Sequence, residues 1–277
     1  MVDAFKKLLS PDRSREPQEK DLPKAWLTPE EDALVPPRSI WIGPQDPISH
    51  YYRWIWEYLA YLTLLAGLQR HSMVLELGCG HGRTARGLLF YLRSPGEYYG
   101  LDVDRVLIED AQQRIQARFG NFHFVHADVH NRQYNANGQV PSASYVFPFG
   151  DNTFDVIYAA SLFSHLLPDE TANYLRQAAR VLKPGGKCLF SFFMLDNYAG
   201  AGTTVSADYQ FEHPLENYEG VAVRSREFPD LAIGYRRSVM ERLTREAGLE
   251  VVQVIPGLWT ENTEWAVNEQ DLIVLAK

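Results

Sequence analysis

The sequence predicts an α/β fold in which a mostly parallel sheet of seven strands carries helices on both faces and ends in an antiparallel strand. Strand-like apolar segments alternate with helix-like segments from residue 73 onward. A strand at 73–77 runs directly into a glycine-rich turn that opens a helix. Two late apolar segments, 251–255 and 272–276, are joined by a loop without a helix, which indicates an antiparallel pair at the edge of the sheet.

Size and composition favour one large domain with additions. The chain has 277 residues, of which 45% are hydrophobic, enough to bury one sizeable core. Cys79 and Cys188 have neither disulfide-framework nor metal-type spacing, so no metal is expected. The amino terminus lacks a signal-peptide segment and no stretch is long enough to cross a bilayer, so we expect a cytoplasmic protein without a membrane partner. The net charge of −8 disfavours a nucleic-acid partner.

The chain divides into an arm and a domain. Residues 1–45 are rich in proline and charge, which predicts an irregular amino-terminal arm ahead of a domain at 46–277. Asp46-Pro47 begins a helix that we expect to reach about residue 69 or 70. An insertion at 131–147 has no assigned role. The other predicted elements are strand 73–77, helix 82–93, strand 97–102, helix 104–118, strand 121–126, strand 154–159, helix 169–182, strand 187–194, helix 235–247, and strands 251–255 and 272–276.

The glycine turn narrows the choice of cofactor. Its glycines stand at 78, 80 and 82, whereas a dinucleotide fingerprint needs the third at 83, where this chain has Arg83. The spacing therefore disfavours NAD and FAD. The segment Val-Leu-Glu-Leu-Gly-Cys-Gly-His-Gly instead resembles the first motif of the class I S-adenosylmethionine-dependent methyltransferases.

Three further segments agree with this family in order along the chain. Asp102 ends the second strand, Asp128 ends the third, and Leu-Lys-Pro-Gly-Gly at 182–186 precedes the fifth. The resemblance covers roughly residues 50–277 and implies a Rossmann-like fold and S-adenosylmethionine as cofactor. The cofactor-binding residues it implies are Tyr52, Glu76, Gly78, Cys79, Gly80, Gly82, Asp102, Val103, Asp128, Val129 and Ala160.

Some of these positions have a structural alternative. A carboxylate at the end of a strand can accept two hydrogen bonds from the ribose hydroxyls, but it can also cap the next helix. We assign Asp102 to the ribose and Asp104 to the cap. Asp128 is expected at the adenine amino group and Glu76 near the methionine amino group, as the family implies. Tyr52 lies on a helix that covers the methionine end in many relatives, and simple packing is its alternative.

The candidate catalytic residues are His165 and Asp196. Methyl transfer to a hydroxyl needs alignment of the acceptor and removal of its proton, and imidazole titrates near working pH. His165 follows the fourth strand and Asp196 follows the fifth. In the sugar and natural-product O-methyltransferases that the chain resembles, a histidine at the place of His165, together with an acid at the place of Asp196, often serves as base. The alternatives are that His165 packs in its turn and that Asp196 begins a surface loop.

The acceptor is expected to be a small molecule with a hydroxyl group, a sugar or a secondary metabolite, bound under a lid insertion at about 197–234. Competing functions are an N-methyltransferase, a peptide or protein carboxyl methyltransferase, a noncatalytic cofactor-binding protein and a nicotinamide oxidoreductase, and a homodimer is left open. Aromatic residues of the lid and of the last hairpin loop either line the acceptor site or form the lid's own core. They are Tyr198, Tyr209, Phe211, His213, Tyr218, Phe228, Trp259 and Trp265.

Overall fold

The computed structural model describes residues 34–36, 48–197, 209–260, 266 and 268–277. Most of the predicted arm, the predicted helix start at Asp46-Pro47, and the aromatic residues Tyr198 and Trp265 lie outside the described residues. The strands are β1 (Met73–Leu77), β2 (Glu97–Asp102), β3 (Phe122–His126), β4 (Val129–His130), β5 (Val140–Pro141), β6 (Phe154–Ala159), β7 (Leu182–Met194), β8 (His213–Pro214), β9 (Val221–Val223), β10 (Ile233–Tyr235), β11 (Glu250–Ile255) and β12 (Asp271–Ala276).

The described helices are α1 (Ile48–Leu64), α2 (Arg83–Leu88), α3 (Arg105–Ala111), α4 (Pro168–Val181) and α5 (Arg237–Glu246). α4 has the predicted length and lies one residue earlier than predicted, whereas the other four are shorter than the sequence predicts. The chain leaves α1 ahead of Gly67, whose φ of +71° belongs to the left-handed region that ends helices. α3 continues as a π-helical turn over Gln112–Gln116, so the predicted helix 104–118 changes its hydrogen-bonding pattern partway.

The sheet confirms the predicted α/β class. Strands β3, β2, β1, β6 and β7 are parallel neighbours in that order, β12 pairs antiparallel with β7, and β11 pairs with β12 at the edge. In the register, Leu77 lies beside Leu101 and Glu76 beside Tyr158. The carboxyl ends of β1, β2 and β6 therefore meet at one edge, which is where ligands bind in open α/β sheets.

The described part of the lid insertion extends the sheet. β8, β9 and β10 form an antiparallel ribbon, and β10 pairs in parallel with the end of β7, at Phe193 and Met194. β5, in the 131–147 insertion, pairs in parallel with β4, which lies just before the insertion, at Val140 and Val129. These short strands have no sequence pattern long enough to predict them.

Two apolar clusters cover the two faces of the sheet. Leu75 and Ile157 point to one face and pack with α4, whereas Val74 and Val156 point to the other and pack under α1. Because side chains alternate along a strand, Glu76 shares the face under α1. None of the described helices is long and apolar enough to cross a membrane.

Candidate functional site

The glycine turn after β1 is held by the end of β2. The N–H groups of Gly78 and Cys79 donate to the carbonyl oxygen of Leu101, at 2.8 and 3.2 Å. The N–H of Gly80 donates to Oδ2 of Asp102 at 2.6 Å. A pyrophosphate group is held by free backbone donors of such a turn, and these three are already engaged. The geometry therefore disfavours a dinucleotide, as the glycine spacing does.

The carboxylate of Asp102, at the end of β2, accepts a hydrogen bond from the glycine turn that follows β1. Its Oδ1 accepts the N–H of Asp104 at 2.9 Å, while burial raises the pKa of Asp102 above its ordinary value. Asp104 caps α3, because its side chain accepts the N–H groups of Val106 and Leu107 at 2.9 and 3.2 Å. The assignment of Asp104 to the helix cap is thus confirmed, and Asp102 remains available at the opening of the turn.

Glu76 is a buried carboxyl group with two tyrosine partners. Its Oε2 accepts hydrogen bonds from the hydroxyls of Tyr98, at 2.5 Å, and Tyr158, at 2.7 Å. Burial raises the pKa of Glu76 to about 7, against the effect of these donors. A carboxyl group in this state gains from a cationic partner, which would favour its charged form.

These strand ends open into one cleft of about 1900 Å³. It is large for a small-molecule site, since such sites are usually about 300–1,000 Å³. The sequence-predicted site residues that line it are Glu76, Gly78, Cys79, Gly80, Asp102, Val103, Val129, Ala160 and His165.

Three predicted cofactor residues do not line this cleft. The ring of Tyr52 lies under the guanidinium group of Arg86, whose Cζ is 4.8 Å from its centroid. Gly82 begins α2 and packs against Phe124, so closely that an added Cβ would lie 3.0 Å from that ring. Asp128 is exposed and lies outside the lining. Tyr52 and Gly82 therefore have packing roles here, and adenine contact by Asp128 stays a prediction.

His165 and Asp196 are not brought together. His165 is half-buried in the cleft lining, and its Nδ1 lies 2.9 Å from the main-chain carbonyl oxygen of Asp230. Asp196 is exposed in a short helical turn after β7 and accepts the N–H of Arg237, at the start of α5. That turn carries Asp196 out of the cleft lining, so the geometry supports His165 alone as the candidate base.

The lid aromatics form a core of their own. Phe193, Phe211 and Trp259 are buried together with ring centroids 5.1 to 5.6 Å apart, and Tyr209 packs against them. None of the predicted lid and hairpin aromatics within the described ranges lines the cleft. The structure therefore supports a role in the lid's own core for Tyr209, Phe211 and Trp259, whereas Phe228 is exposed and Tyr218 packs against the main core.

Sequence reasoning missed a buried polar network behind the cleft. The N–H of Ser161 donates to Oγ of Ser191 at 2.7 Å, and that hydroxyl donates to Oε1 of Gln270 at 2.7 Å. The amide nitrogen of Gln270 donates back to Oγ of Ser161 at 2.9 Å. Ser161 has a φ of +58°, a conformation that surrounding structure must hold in place. The network fixes the turn that leads from β6 to His165, and its partners are too far apart in sequence to be predicted.

His81 and Arg83 are two further cleft residues without a predicted role. The His81 ring stacks on Tyr51 with centroids 5.9 Å apart, and burial lowers its pKa to about 4, so it is neutral at pH 7. Its buried Nδ1 has no hydrogen-bond partner among the described residues. The Arg83 guanidinium lies 4.2 Å from the ring centroid of Trp54. A neutral imidazole and a guanidinium beside the glycine turn could both donate to a carboxylate.

Comparison with known proteins agrees with this geometry. Residues 75–188 match the family model described as a methyltransferase domain. A phthiotriol/phenolphthiotriol dimycocerosates methyltransferase from Mycobacterium ulcerans is 34% identical over 118 residues, covering 43% of this chain and 36% of the relative. A fatty-acid O-methyltransferase from Mycolicibacterium smegmatis is 30% identical over 156 residues, covering 56% and 48%. The chain thus spans about a third to a half of the length of these relatives.

A solved structure extends the likeness to the fold. An S-adenosylmethionine-dependent methyltransferase from Mesorhizobium loti is 16% identical with a TM-score of 0.54, covering 80% of this chain and 97% of that one. The order of the parallel strands, the glycine turn and the family match point the same way. Residues 75–188 of this chain therefore match a methyltransferase domain, and its fold is that of an S-adenosylmethionine-dependent methyltransferase.

Proposed function

We propose that this chain transfers a methyl group from S-adenosylmethionine to a hydroxyl group of an apolar small molecule, with His165 as general base. One observation carries the proposal. The same cleft is lined by the glycine turn, by Asp102 and by the imidazole of His165, whose Nδ1 lies 2.9 Å from a main-chain carbonyl oxygen.

The residues at the glycine-turn end fit the chemistry of the cofactor. The Asp102 carboxylate can accept hydrogen bonds from two ribose hydroxyls. Glu76 can accept from the amino group of the methionine part, while His81 and Arg83 can donate to its carboxylate. S-adenosylmethionine supplies an electrophilic methyl group on a sulfonium.

His165 would act on the proton of the acceptor. A carbonyl oxygen can only accept, so the contact with Asp230 requires the proton on Nδ1 of a neutral His165. The lone pair then lies on Nε2, which can take the proton of an acceptor hydroxyl as its oxygen attacks the methyl group. No covalent enzyme intermediate is needed.

The acceptor class rests on the cleft and on the relatives. The cleft exceeds the usual volume of a small-molecule site, and part of its lining is apolar, including Leu64, Val254, Ile255 and Pro256. The two relatives are named for a fatty acid and for phthiotriol dimycocerosates. This supports an acceptor with a large apolar part, in place of the sugar that the sequence resemblance equally allowed.

Cofactor binding is tested first, by calorimetry with S-adenosylmethionine and with NAD. We expect binding of the former, no binding of NAD, and a loss of affinity in Asp102→Asn of about tenfold or more, because the amide replaces one of two acceptor oxygens. Asp151→Asn, at an exposed position outside the cleft, is the matched control. Preferential binding of NAD would establish the oxidoreductase alternative, and binding of neither would favour a noncatalytic protein.

Methyl transfer is then measured with labelled cofactor and a panel of fatty alcohols, quinols, fatty acids, amines, peptides and tRNA. We expect transfer to a hydroxyl acceptor, with turnover reduced about 10²–10⁴-fold in His165→Ala and cofactor affinity nearly unchanged. His71→Ala, at an exposed histidine outside the cleft, is the control. Full activity of His165→Ala would remove the base from the mechanism and favour an amine or carboxylate acceptor, and labelling of tRNA would contradict the small-molecule class.

A further inference from the structure

The two insertions meet at one ion pair beside the cleft. Arg132, in the 131–147 insertion, donates from a guanidinium nitrogen to Oδ1 of Asp230, in the lid insertion. The same guanidinium lies 4.5 Å from the ring centroid of Phe228. An ion pair and a cation–π contact on one side chain therefore join two segments 98 residues apart in sequence.

Arg132 projects from a loop that is itself well held. The side-chain oxygen of Asn131 accepts the N–H groups of Gln133 and Tyr134, both at 2.9 Å. The main chains of Asn131 and Asn135 exchange two hydrogen bonds, at 3.0 and 2.8 Å. Asn131 and Tyr134 also line the cleft, so the loop is fixed to the cleft wall and presents Arg132 to the lid.

Asp230 connects this pair to His165. Its carboxylate binds Arg132, and its main-chain carbonyl oxygen lies 2.9 Å from Nδ1 of His165. The hydrogen bond made by one ring nitrogen decides which nitrogen carries the proton. Movement of the Asp230 main chain would therefore release the imidazole to exchange between its two neutral tautomers.

We propose that Arg132 and Asp230 are positioning residues for His165, which hold its imidazole in the Nδ1–H form and keep the Nε2 lone pair for the acceptor. The base role of His165 in this inference rests on the proposed function. The control of its tautomer by Arg132 and Asp230 does not. It gives the 131–147 insertion a role: it holds the lid insertion in place, so that the main-chain carbonyl of Asp230 keeps its hydrogen bond with His165.

The test is the ¹⁵N spectrum of histidine-labelled protein above pH 8, where neutral imidazoles report their tautomer. His165→Gln identifies the His165 signals by their loss. We expect the wild-type signals to show the Nδ1–H form. Arg132→Ala and Asp230→Asn should each shift the ratio of the two tautomers toward Nε2–H by about fivefold, in line with about 1 kcal/mol from such an ion pair.

Two control variants separate positioning from general destabilisation. Arg242→Ala removes an arginine of similar exposure from an ion pair on α5, between Arg242 and Glu246, and should leave the His165 signals unchanged. The charge-exchanged variant, Arg132→Asp with Asp230→Arg, should restore the Nδ1–H form. A predominant Nε2–H form in the wild type, or an unchanged ratio in both single variants, would overturn the inference.

Turnover with an acceptor identified as above gives the second readout. We expect Arg132→Ala to lower kcat in proportion to the fraction of the Nδ1–H form that it loses, by at most about fivefold, while changing KM less, because the cleft is intact. If the tautomer ratio shifts but turnover does not change, Arg132 and Asp230 do position His165, but His165 is not the base. This outcome would contradict the proposed function and leave the positioning role intact.

Discussion

The hydroxyl group of Tyr98 lies 2.5 Å from Oε2 of Glu76, in the interior of the molecule and beside the glycine turn. Tyr158, on the other neighbouring strand, donates to the same oxygen. These donors favour the charged carboxylate, but burial opposes it more strongly and raises the pKa of Glu76 to about 7. Glu76 therefore changes its charge in the neutral pH range, at a place where the cofactor would bring an ammonium group.

The first prediction concerns the pH dependence of cofactor affinity. The ionised form of Glu76 binds a cation better, so the affinity for S-adenosylmethionine should rise with pH, by up to about tenfold per unit, and level off above about pH 7. Glu76→Gln should bind weakly with little pH dependence from 5.5 to 8. Titration calorimetry measures both, and the same slope in Glu76→Gln would assign the dependence to another group.

Stability of the free protein should change with pH in the opposite sense. The folded state keeps the Glu76 proton up to about pH 7, whereas the unfolded chain releases it near the ordinary glutamate pKa of 4.5. This contribution to stability is fully present below about pH 4.5 and is lost as the pH rises to about 7. Wild type should therefore lose stability relative to Glu76→Gln across this range, as measured by urea unfolding.

The second prediction concerns the tyrosine donors. Removing the hydroxyl in Tyr158→Phe takes away one bond that favours the carboxylate, so the pKa of Glu76 should rise further. The midpoint of the rise in S-adenosylmethionine affinity with pH should move above pH 7 in Tyr158→Phe. The affinity at high pH should fall less than it does in Glu76→Gln. Tyr145→Phe, at a half-buried tyrosine away from Glu76, is the control. An unmoved midpoint in Tyr158→Phe would show that this hydroxyl does not act on Glu76.

The parallel sheet and the glycine-turn end of the cleft were predictable because their signals are local. β1, β2 and β6 have the predicted bounds, since each is a short segment bounded by turn residues. Gly78 and Asp102 line the cleft because strand order alone brings strand ends together. Neighbouring residues in sequence were enough to identify these positions.

The orientation of side chains in the insertions was not predictable in this way. Phe211 packs on Phe193 and Trp259, and nothing in the local sequence of the lid distinguishes that from lining an acceptor site. The link from Arg132 to Asp230 likewise depends on how two separate insertions pack. Such contacts are set by long-range packing, which a periodic pattern does not encode.

The third prediction concerns Gly82, at the start of α2. Its φ of +78° disfavours any side chain, and an added Cβ would lie 3.0 Å from Ile115 and Phe124. Gly248 has a similar φ of +82°, but a Cβ there would meet nothing within 4 Å. We expect Gly248→Ala to cost about 1 kcal/mol of unfolding free energy and Gly82→Ala about 2–3 kcal/mol. Equal costs in urea unfolding would mean that Phe124 and Ile115 move aside freely.

The fourth prediction concerns Asp271, a fully buried carboxylate at the start of β12. Its Oδ2 accepts from the N–H of Met194 and from Nε1 of Trp259, at 2.7 and 2.8 Å. Its Oδ1 accepts from Nδ2 of Asn197 and the N–H of Gly257, both at 2.8 Å. One side chain thus ties together the end of β7, the turn before β12 and the lid core.

Replacing Asp271 should therefore be far more costly than removing any one of its donors. Asp271→Ala removes the acceptor shared by four donors, three of them in buried hydrogen bonds, and we expect a loss of about 3–5 kcal/mol. Asp271→Asn keeps one acceptor oxygen and should lose less, while Trp259→Phe removes a single donor and should lose about 1 kcal/mol. Urea unfolding of the three variants gives the order directly. If Trp259→Phe were as destabilising as Asp271→Ala, packing of the indole ring in the lid core, and not the buried carboxylate, would hold this edge of the fold together.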